Sequence, residues 1–250
     1  MLSYQFYSQT HVGRVRENNE DAVAFDAAAQ LALLADGMGG YNAGEVASSM
    51  AIALIQADLS RHLLPIRPGP NSVVLRSAVT AAVENANVTI WSCAATQPDC
   101  SGMGTTLVMA VFLGTSVLLA HVGDSRCYRL RGGTLARMTR DHSVLQEQID
   151  AGLVSLEEAP FAPNRNLVTR ALGVMDMVEV EVAEHPAEHG DLYLLCSDGL
   201  TDMLTDGAIA ALLTAPGTLA ERATQLVDAA NAAGGRDNIS VLLAQAEAVA

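Results

Sequence analysis

The sequence predicts an α+β domain in which antiparallel sheets are covered by helices. Three features lead to this prediction: short apolar runs are joined by hairpin-length turns, long helical segments lie between groups of runs, and most runs are apolar on both faces. Runs of that last kind are typical of sheets covered on both sides. We expect residues 1–250 to form one domain, since a chain of 250 residues can bury a substantial core without being divided.

Nine apolar runs of strand length follow one another along the chain. They are residues 22–25, 31–35, 107–113, 117–122, 127–130, 134–138, 178–183, 192–196 and 239–244. The turn formers Gly114-Thr115-Ser116 and Arg131-Gly132-Gly133 each separate two neighbouring runs. Short turns of this composition predict antiparallel hairpins on either side of them.

Helical segments lie between the groups of strands. They are predicted at residues 42–64, 72–95, 143–151, 155–159, 206–214 and 218–233, and the proline-containing stretch 65–71 is predicted to be a loop. Asn42 with Glu45, and Thr218 with Glu221, have the spacing of a capping box. Gly234-Gly235 ends the last helix.

The charge and the basic residues of the chain exclude several classes of function. All 14 basic residues are Arg, against 28 acidic residues, and the net charge is −14. Nucleic acid and anionic membranes are therefore not expected as partners, because both bind clustered positive charge. Without lysine, P-loop chemistry is excluded. The four cysteines include no CxxC pair, so a zinc site is not indicated.

No segment has the pattern of a membrane-spanning or secretory sequence. The longest apolar stretch, 105–122, is interrupted by Gly114-Thr115-Ser116, whereas a spanning helix needs roughly 20 consecutive apolar residues. The first residues show no basic segment followed by an apolar one. We therefore expect a cytoplasmic protein with no membrane partner.

Four aspartates stand at the ends of predicted strands, next to glycine or serine. They are Asp36, Asp124, Asp198 and Asp237. Carboxylates that converge at one rim of a sheet repel one another unless hard cations lie among them, and oxygen ligands favour Mg²⁺ or Mn²⁺. Each of these residues could instead be an ordinary turn aspartate, since Asp-Gly is a common turn pair. The four together, rather than any one, favour a cation site.

Eight short motifs, in order, resemble those of the PPM (PP2C-like) protein phosphatases, and in particular their bacterial branch. They are Val15-Arg-Glu-Asn-Asn-Glu-Asp21, Ala35-Asp-Gly-Met-Gly-Gly40, Gly102-Met-Gly-Thr-Thr106, Val122-Gly-Asp-Ser-Arg126, Asp141-His-Ser143, Leu167-Val-Thr-Arg-Ala-Leu-Gly173, Cys196-Ser-Asp-Gly-Leu200 and Gly234-Gly-Arg-Asp-Asn-Ile239. Each motif alone is weakly specific. Eight in family order, from about residue 4 to residue 244, are highly specific.

The resemblance implies a four-layer α-β-β-α sandwich, with two antiparallel sheets flanked by helices and two Mn²⁺ or Mg²⁺ ions at one end. By the family pattern, Asp36 bridges the two ions. Asp198 and Asp237 complete the shell of the first ion, and the Gly37 carbonyl binds the second. Asp124, together with Asp198, matches a weaker third metal site of bacterial members.

Three further residues are assigned by the same resemblance. Glu20 and Asp21 are expected to hold the second ion through water, and Arg16 matches the phosphate-binding arginine of the family. A guanidinium suits that role because its planar fork can bind two phosphate oxygens. Met38 stands where animal members carry a histidine, so the general acid is not assigned.

The implied activity is hydrolysis of phosphoserine and phosphothreonine esters by direct attack of a metal-bridging hydroxide. Two ions roughly 3.5–4 Å apart generate such a hydroxide near neutral pH. The implied partners are phosphorylated proteins, in particular a Ser/Thr kinase and its substrates, and a monomer is expected. The segment 142–169, which contains Phe161 and Asn164, resembles a mobile flap beside the active site and is expected to govern substrate preference.

Other polar residues of the motifs are predicted to be structural. His142 is expected to form structural hydrogen bonds, Arg126 to pair with a carboxylate, and His121 to have no functional role. Two alternatives to a protein phosphatase stay open. One is a pseudophosphatase that binds metal and a partner without turnover, and the other is a hydrolase of small phosphate esters on the same fold.

Overall fold

The structure is a computed structural model that describes residues 2–39, 43–63, 72–155, 157–159, 162–163 and 166–248. Its strands are β1 (Leu2–His11), β2 (Asp21–Asp26), β3 (Leu31–Met38), β4 (Gly104–Thr105), β5 (Leu107–Phe112), β6 (Ser116–Val122), β7 (Arg126–Arg131), β8 (Thr134–Arg137), β9 (Glu181–Pro186), β10 (Leu192–Cys196) and β11 (Ile239–Ala248). Its helices are α1 (Ala43–Leu63), α2 (Ser72–Thr96), α3 (Val144–Asp150), α4 (Asp198–Thr201), α5 (Asp206–Thr214) and α6 (Leu219–Ala232), with a 3₁₀ turn at Pro98–Cys100.

The strands form two antiparallel sheets. One has the order β1-β11-β10-β7-β8, and the other has the order β2-β3-β5-β6-β9, with β4 paired to β3. Three groups of buried apolar side chains separate the layers. One lies between α1, α2 and the second sheet, one between the two sheets, and one between the first sheet and α4, α5 and α6. This is the four-layer sandwich that the resemblance implied.

Local sequence signals account for several helix boundaries. Thr218 and Glu221 form the predicted capping box at the start of α6, with reciprocal side-chain-to-backbone hydrogen bonds. The hydroxyl oxygens of Ser143 and Thr205 accept backbone N–H groups at the starts of α3 and α5. Asn42 lies outside the described residues, as do the loop 65–71 and Leu156 in the helix predicted at 155–159.

The sequence prediction was wrong at two edge strands. β1 was not predicted, because Tyr4 alone among its residues is buried and its other positions are mixed in polarity. The strand predicted at 178–183 lies instead at Glu181–Pro186. Its position is set by pairing with β6, and its exposed charged residues give no apolar signal.

Within the described ranges, none of the helices combines the length and the hydropathy that a membrane-spanning segment requires.

Candidate functional site

The carboxylates predicted to hold cations lie together at one rim of the two sheets. Asp21 begins β2 and is paired with Asp36 in β3. Asp124 follows β6, Asp198 follows β10, and Asp237 precedes β11. Asp124, Asp198 and Asp237 stand at strand ends, as predicted, whereas β3 continues two residues beyond Asp36. The charges of the other four all raise the pKa of Asp36, so the five side chains lie within electrostatic range of that carboxyl.

Close backbone packing brings the turns at Asp198 and Asp237 together. A Cβ atom at Gly199 would lie 1.9 Å from the Asn238 carbonyl oxygen, so a side chain at that position would displace the neighbouring backbone. Beside this contact, Ser197 Oγ donates to Asp21 Oδ2 (2.9 Å) and accepts from Ser240 N (3.0 Å). The hydroxyl of Ser197 therefore links the two sheets immediately before Asp198.

Burial and mutual repulsion raise the pKa values of four of the clustered carboxyls. The pKa of Asp36 lies well above its ordinary range, first because of burial and then because of Asp21. Burial, followed by the charge of Asp124, has the same effect on the pKa of Asp198. Burial also raises the pKa of Asp21 and that of Asp124, each to about 6. Full ionisation of this cluster is costly unless a cation compensates it.

The donor atoms at the rim fit a hard divalent cation. Asp21 Oδ1 is buried and has no hydrogen-bond partner, although buried carboxylate oxygens are normally satisfied. The converging donors are oxygens, which Mg²⁺ and Mn²⁺ prefer to nitrogen or sulfur. A cation at this rim would satisfy the orphaned oxygen and reduce the repulsion among the carboxylates.

Arg16 reaches the acidic rim from the loop between β1 and β2. Its Nη2 donates to Asp237 Oδ2 at 2.7 Å, while its side chain remains 52% exposed. Asn238 fixes this loop, because its Oδ1 accepts from Glu20 N (2.8 Å) and its Nδ2 donates to two backbone carbonyls of the loop. Asn238 was not singled out from the sequence, although it directly follows Asp237 in the motif.

Glu20 and Gly37 meet at the N-terminus of α1. Gly37 N donates to the Glu20 carbonyl oxygen at 3.1 Å. A Cβ atom at Gly37 would lie 2.2 Å from the Gly44 carbonyl oxygen, so α1 packs directly on the backbone here. The Glu20 carboxylate accepts the Gly44 N–H, in the first turn of the helix where negative charge is favourable. Burial nevertheless raises the pKa of Glu20.

A cavity of about 290 Å³ opens on the side of the site that Asp124 and Asp198 share. Asp202 also lines this cavity and raises the pKa of Asp198, after burial and Asp124. Asp202 was not predicted. It lies four residues after Asp198, a spacing that places two side chains on the same face of a helix. Arg126 lines the same cavity but is bound to Asp141 through contacts of 2.7–3.1 Å, as predicted for a carboxylate pair.

Two histidines and a glutamate lie close together beside the site. In the described part of the chain, His121, His142 and Glu181 form the one group of three potential ligands whose donor atoms lie within 4.8 Å of one another. Their hydrogen bonds argue against a cation. His142 Nδ1 accepts from Gly123 N (3.1 Å), so its proton lies on Nε2, which faces Glu181. His121 Nε2 bonds the Arg140 carbonyl (2.8 Å), which can only accept. Both Nε2 atoms are therefore donors.

The base of the predicted flap is tied to the site by backbone hydrogen bonds. His142 N donates to the Gly123 carbonyl (2.9 Å), immediately before Asp124. Ser143 and Val168 form an antiparallel bridge, and Thr169 N donates to the His142 carbonyl (2.8 Å). The two ends of the segment are thus held together. Phe161 and Asn164, named in the flap prediction, lie outside the described residues.

Comparison with known sequences gives consistent matches along almost the whole chain. The family described as protein phosphatase 2C matches residues 9–243. The serine/threonine protein phosphatase PstP of Mycobacterium tuberculosis H37Rv is 42% identical over 243 residues, which are 97% of this chain and 45% of PstP. The chain therefore spans less than half the length of that relative. The serine/threonine phosphatase stp of Listeria monocytogenes serovar 1/2a is 38% identical over 240 residues, 95% of this chain and 94% of the relative.

Solved structures agree with these matches. The crystal structure of the M. tuberculosis serine/threonine phosphatase PstP/Ppp has a TM-score of 0.89 and 41% identity, and covers 98% of this chain and 99% of that one. The catalytic domain of PstP in complex with two manganese ions has a TM-score of 0.87 and 40% identity, covering 99% and 100% of the two chains. The predicted sandwich fold is confirmed by this likeness.

Proposed function

This chain belongs to the protein phosphatase 2C family, and we propose that it is a metal-dependent protein serine/threonine phosphatase. The observation that carries the proposal is the convergence of five aspartates at one rim, four of them with raised pKa values, together with an exposed arginine at its edge. Clustered carboxylates with perturbed pKa values are typical of functional sites.

We propose that the site holds two Mn²⁺ or Mg²⁺ ions. Their direct ligands would be Asp36, Asp198, Asp237 and the Gly37 carbonyl, with Glu20 and Asp21 acting through water and Asp124 serving a weaker third ion. When bound, the ions would supply the Lewis acidity that lowers the pKa of water and neutralises charge on a phosphoryl group. Support comes from the orphaned Asp21 Oδ1 and from the PstP catalytic domain, which was solved with two manganese ions.

The chain's own contribution to phosphate binding would come from Arg16. Its guanidinium already lies at the rim, 2.7 Å from Asp237 Oδ2, and its half-exposed side chain can reorient. A phosphate dianion would compete with that carboxylate for the guanidinium, and a bidentate contact would orient the ester for attack. The ion pair between Arg16 and Asp237 is partly exposed and therefore weak enough to be exchanged.

The proposed substrates are phosphoserine and phosphothreonine proteins. We include among the partners a Ser/Thr kinase and the proteins that it phosphorylates, and we expect the enzyme to act as a monomer. The supporting observation is that PstP is a serine/threonine protein phosphatase and stp is a serine/threonine phosphatase.

The decisive experiment measures release of phosphate from p-nitrophenyl phosphate and from a phosphothreonine peptide, with Mn²⁺ or with EDTA. Wild type is expected to hydrolyse both substrates only with Mn²⁺, and Asp198→Asn is expected to lose at least about 100-fold in kcat because a metal ligand is removed. Asp228→Asn, at an exposed position of α6, makes the same change in net charge and should retain activity. Full turnover by Asp198→Asn would refute the assigned site, and turnover of the small ester alone would favour a metabolite phosphatase.

A further inference from the structure

Thr106 lies in the middle of the acidic rim, between the segments that carry Asp36 and Asp124. The register that pairs Leu34 with Val108 and Gly37 with Thr105 places Asp36 opposite Thr106. On the other side, the pairing of Leu107 with Val122 places Thr106 opposite Gly123, the residue before Asp124. Because β3, β5 and β6 are consecutive in the sheet, Thr106 separates the two carboxylate-bearing segments.

The side chain of Thr106 takes the place of a backbone carbonyl as the acceptor for Asp36 N. Thr106 N donates to the Asp36 carbonyl (2.9 Å), as in a regular antiparallel pair. The return bond, however, runs from Asp36 N to Thr106 Oγ1 (3.1 Å) rather than to a backbone carbonyl. The Asp36 carbonyl also accepts from Thr105 Oγ1 (2.9 Å), but the Asp36 N–H depends on the Thr106 hydroxyl. Thr106 is only 2% exposed, so water cannot easily take the place of that hydroxyl.

The same hydroxyl reaches the turn that carries Asp124. Thr106 Oγ1 and Ser125 Oγ share a hydrogen bond of 2.8 Å, and Ser125 is 1% exposed. The Thr106 side chain also packs on Gly123, where an added Cβ would lie 2.7 Å from Thr106 Cβ and where φ is +105°. Gly123 is thus required both by its conformation and by the threonine against it.

We propose that Thr106 is a positioning residue that couples the two-ion site at Asp36 to the third-ion site at Asp124. The inference rests on the proposed function for the roles of the two aspartates. One buried hydroxyl bonds to both segments, so loss of the hydroxyl weakens cation binding at both sites. Partners that orient metal ligands commonly change metal affinity 10–100-fold when they are removed.

The test compares Thr106→Val, which keeps the branched shape, with Thr106→Ser, which keeps the hydroxyl. Mn²⁺ binding is measured by isothermal titration calorimetry, and hydrolysis of p-nitrophenyl phosphate is followed in parallel. We expect Thr106→Val to weaken Mn²⁺ binding by about tenfold or more, and Thr106→Ser to stay within about twofold of wild type. Thr139→Val is the matched control, because Thr139 is also buried and its hydroxyl accepts a backbone N–H from Cys127 rather than from a rim aspartate.

Ser125→Ala tests the coupling from the other side and leaves the bond between Thr106 and Asp36 in place. We expect it to weaken the weakest Mn²⁺ binding step several-fold. Adding it to Thr106→Val should cause little further loss, because the shared hydrogen bond is already absent. A loss of Mn²⁺ affinity in the double variant that is smaller than the sum of the two single losses indicates coupling. Melting temperatures in EDTA report the folding of each variant, so the comparison holds even if Thr106→Val alone is less stable.

Several results would overturn the inference. The first is a wild-type Mn²⁺ affinity in a folded Thr106→Val protein. The second is a loss of Mn²⁺ affinity of the same size in Thr106→Val and Thr106→Ser. The third is a loss of Mn²⁺ affinity in Thr139→Val as large as that in Thr106→Val. A wild type that binds Mn²⁺ but hydrolyses no phosphoester would refute the proposed function alone. In that case the weakened binding of Thr106→Val would still support the role of Thr106.

Discussion

Replacing Asp124 by asparagine should stabilise the metal-free protein. Burial, and then the charge of Asp141, raises the pKa of Asp124 from 3.8 to about 6. Below pH 4 the carboxyl is protonated in both the folded and the unfolded chain, so it imposes no penalty. As pH rises through the interval from 4 to 6, the unfolded chain releases the proton first, and the folded state loses stability. Above pH 6 the penalty is complete.

The magnitude follows from the shift in pKa. A difference of about 2 pKa units corresponds to about 3 kcal/mol, at 1.36 kcal/mol for each unit. Asparagine has nearly the same shape and carries no charge, so it removes this penalty at pH 8. For a chain of this size, 1 kcal/mol shifts the melting temperature by about 2–4 °C, which predicts an increase of about 6–12 °C.

The assay is thermal unfolding in EDTA, followed by circular dichroism at pH 8 and at pH 4. Asp124→Asn should melt higher than wild type at pH 8 and close to it at pH 4. Asp228→Asn alters the net charge equally at an exposed position, so it should leave the melting temperature nearly unchanged at both values. A melting temperature of Asp124→Asn at or below that of wild type at pH 8 would refute the electrostatic reasoning.

Three further predictions concern the site, the flap base and the last helix. Burial raises the pKa of Asp21 and of Asp124 to about 6, so Mn²⁺ should displace protons and bind more weakly below pH 6. The affinity should fall by up to about tenfold per pH unit for each proton displaced. Calorimetry at pH 7.5 and 5.5 measures this change in Mn²⁺ affinity. Burial, followed by the neighbouring His121, lowers the pKa of His142, so its contribution to stability should decline as pH falls below about 6.5. His142→Gln should reduce the loss of stability between pH 7.5 and 5, measured by urea unfolding, and an unchanged loss would contradict this. Thr218→Ala removes the capping box and should lower stability by about 1 kcal/mol, whereas Thr218→Ser should not; equal melting temperatures would contradict the expectation.

Much of the secondary structure could be predicted from local pattern. The hairpin β5–β6 and the helix α6 were expected close to their observed bounds, because apolar runs, turn residues and a capping box act over a few residues. The edge strands β1 and β9 could not be predicted as well. Their residues are half exposed, and their pairing depends on distant parts of the chain. The partners in β6 and β9, for example, are 60 to 70 positions apart.

The sequence by itself determined where the acidic side chains stand along the chain and, through the order of eight motifs, which family they resemble. Asp198 and Asp237 could be placed at strand ends because apolar runs stop immediately beside them. Only the tertiary structure decided what surrounds those carboxylates. The hydroxyl of Thr106 between Asp36 and Ser125, the link from Ser197 to Asp21, and the approach of Asp202 join residues from different strands. Sheet register and burial create these contacts, and both arise from pairings across the whole chain rather than from the residues next to each site.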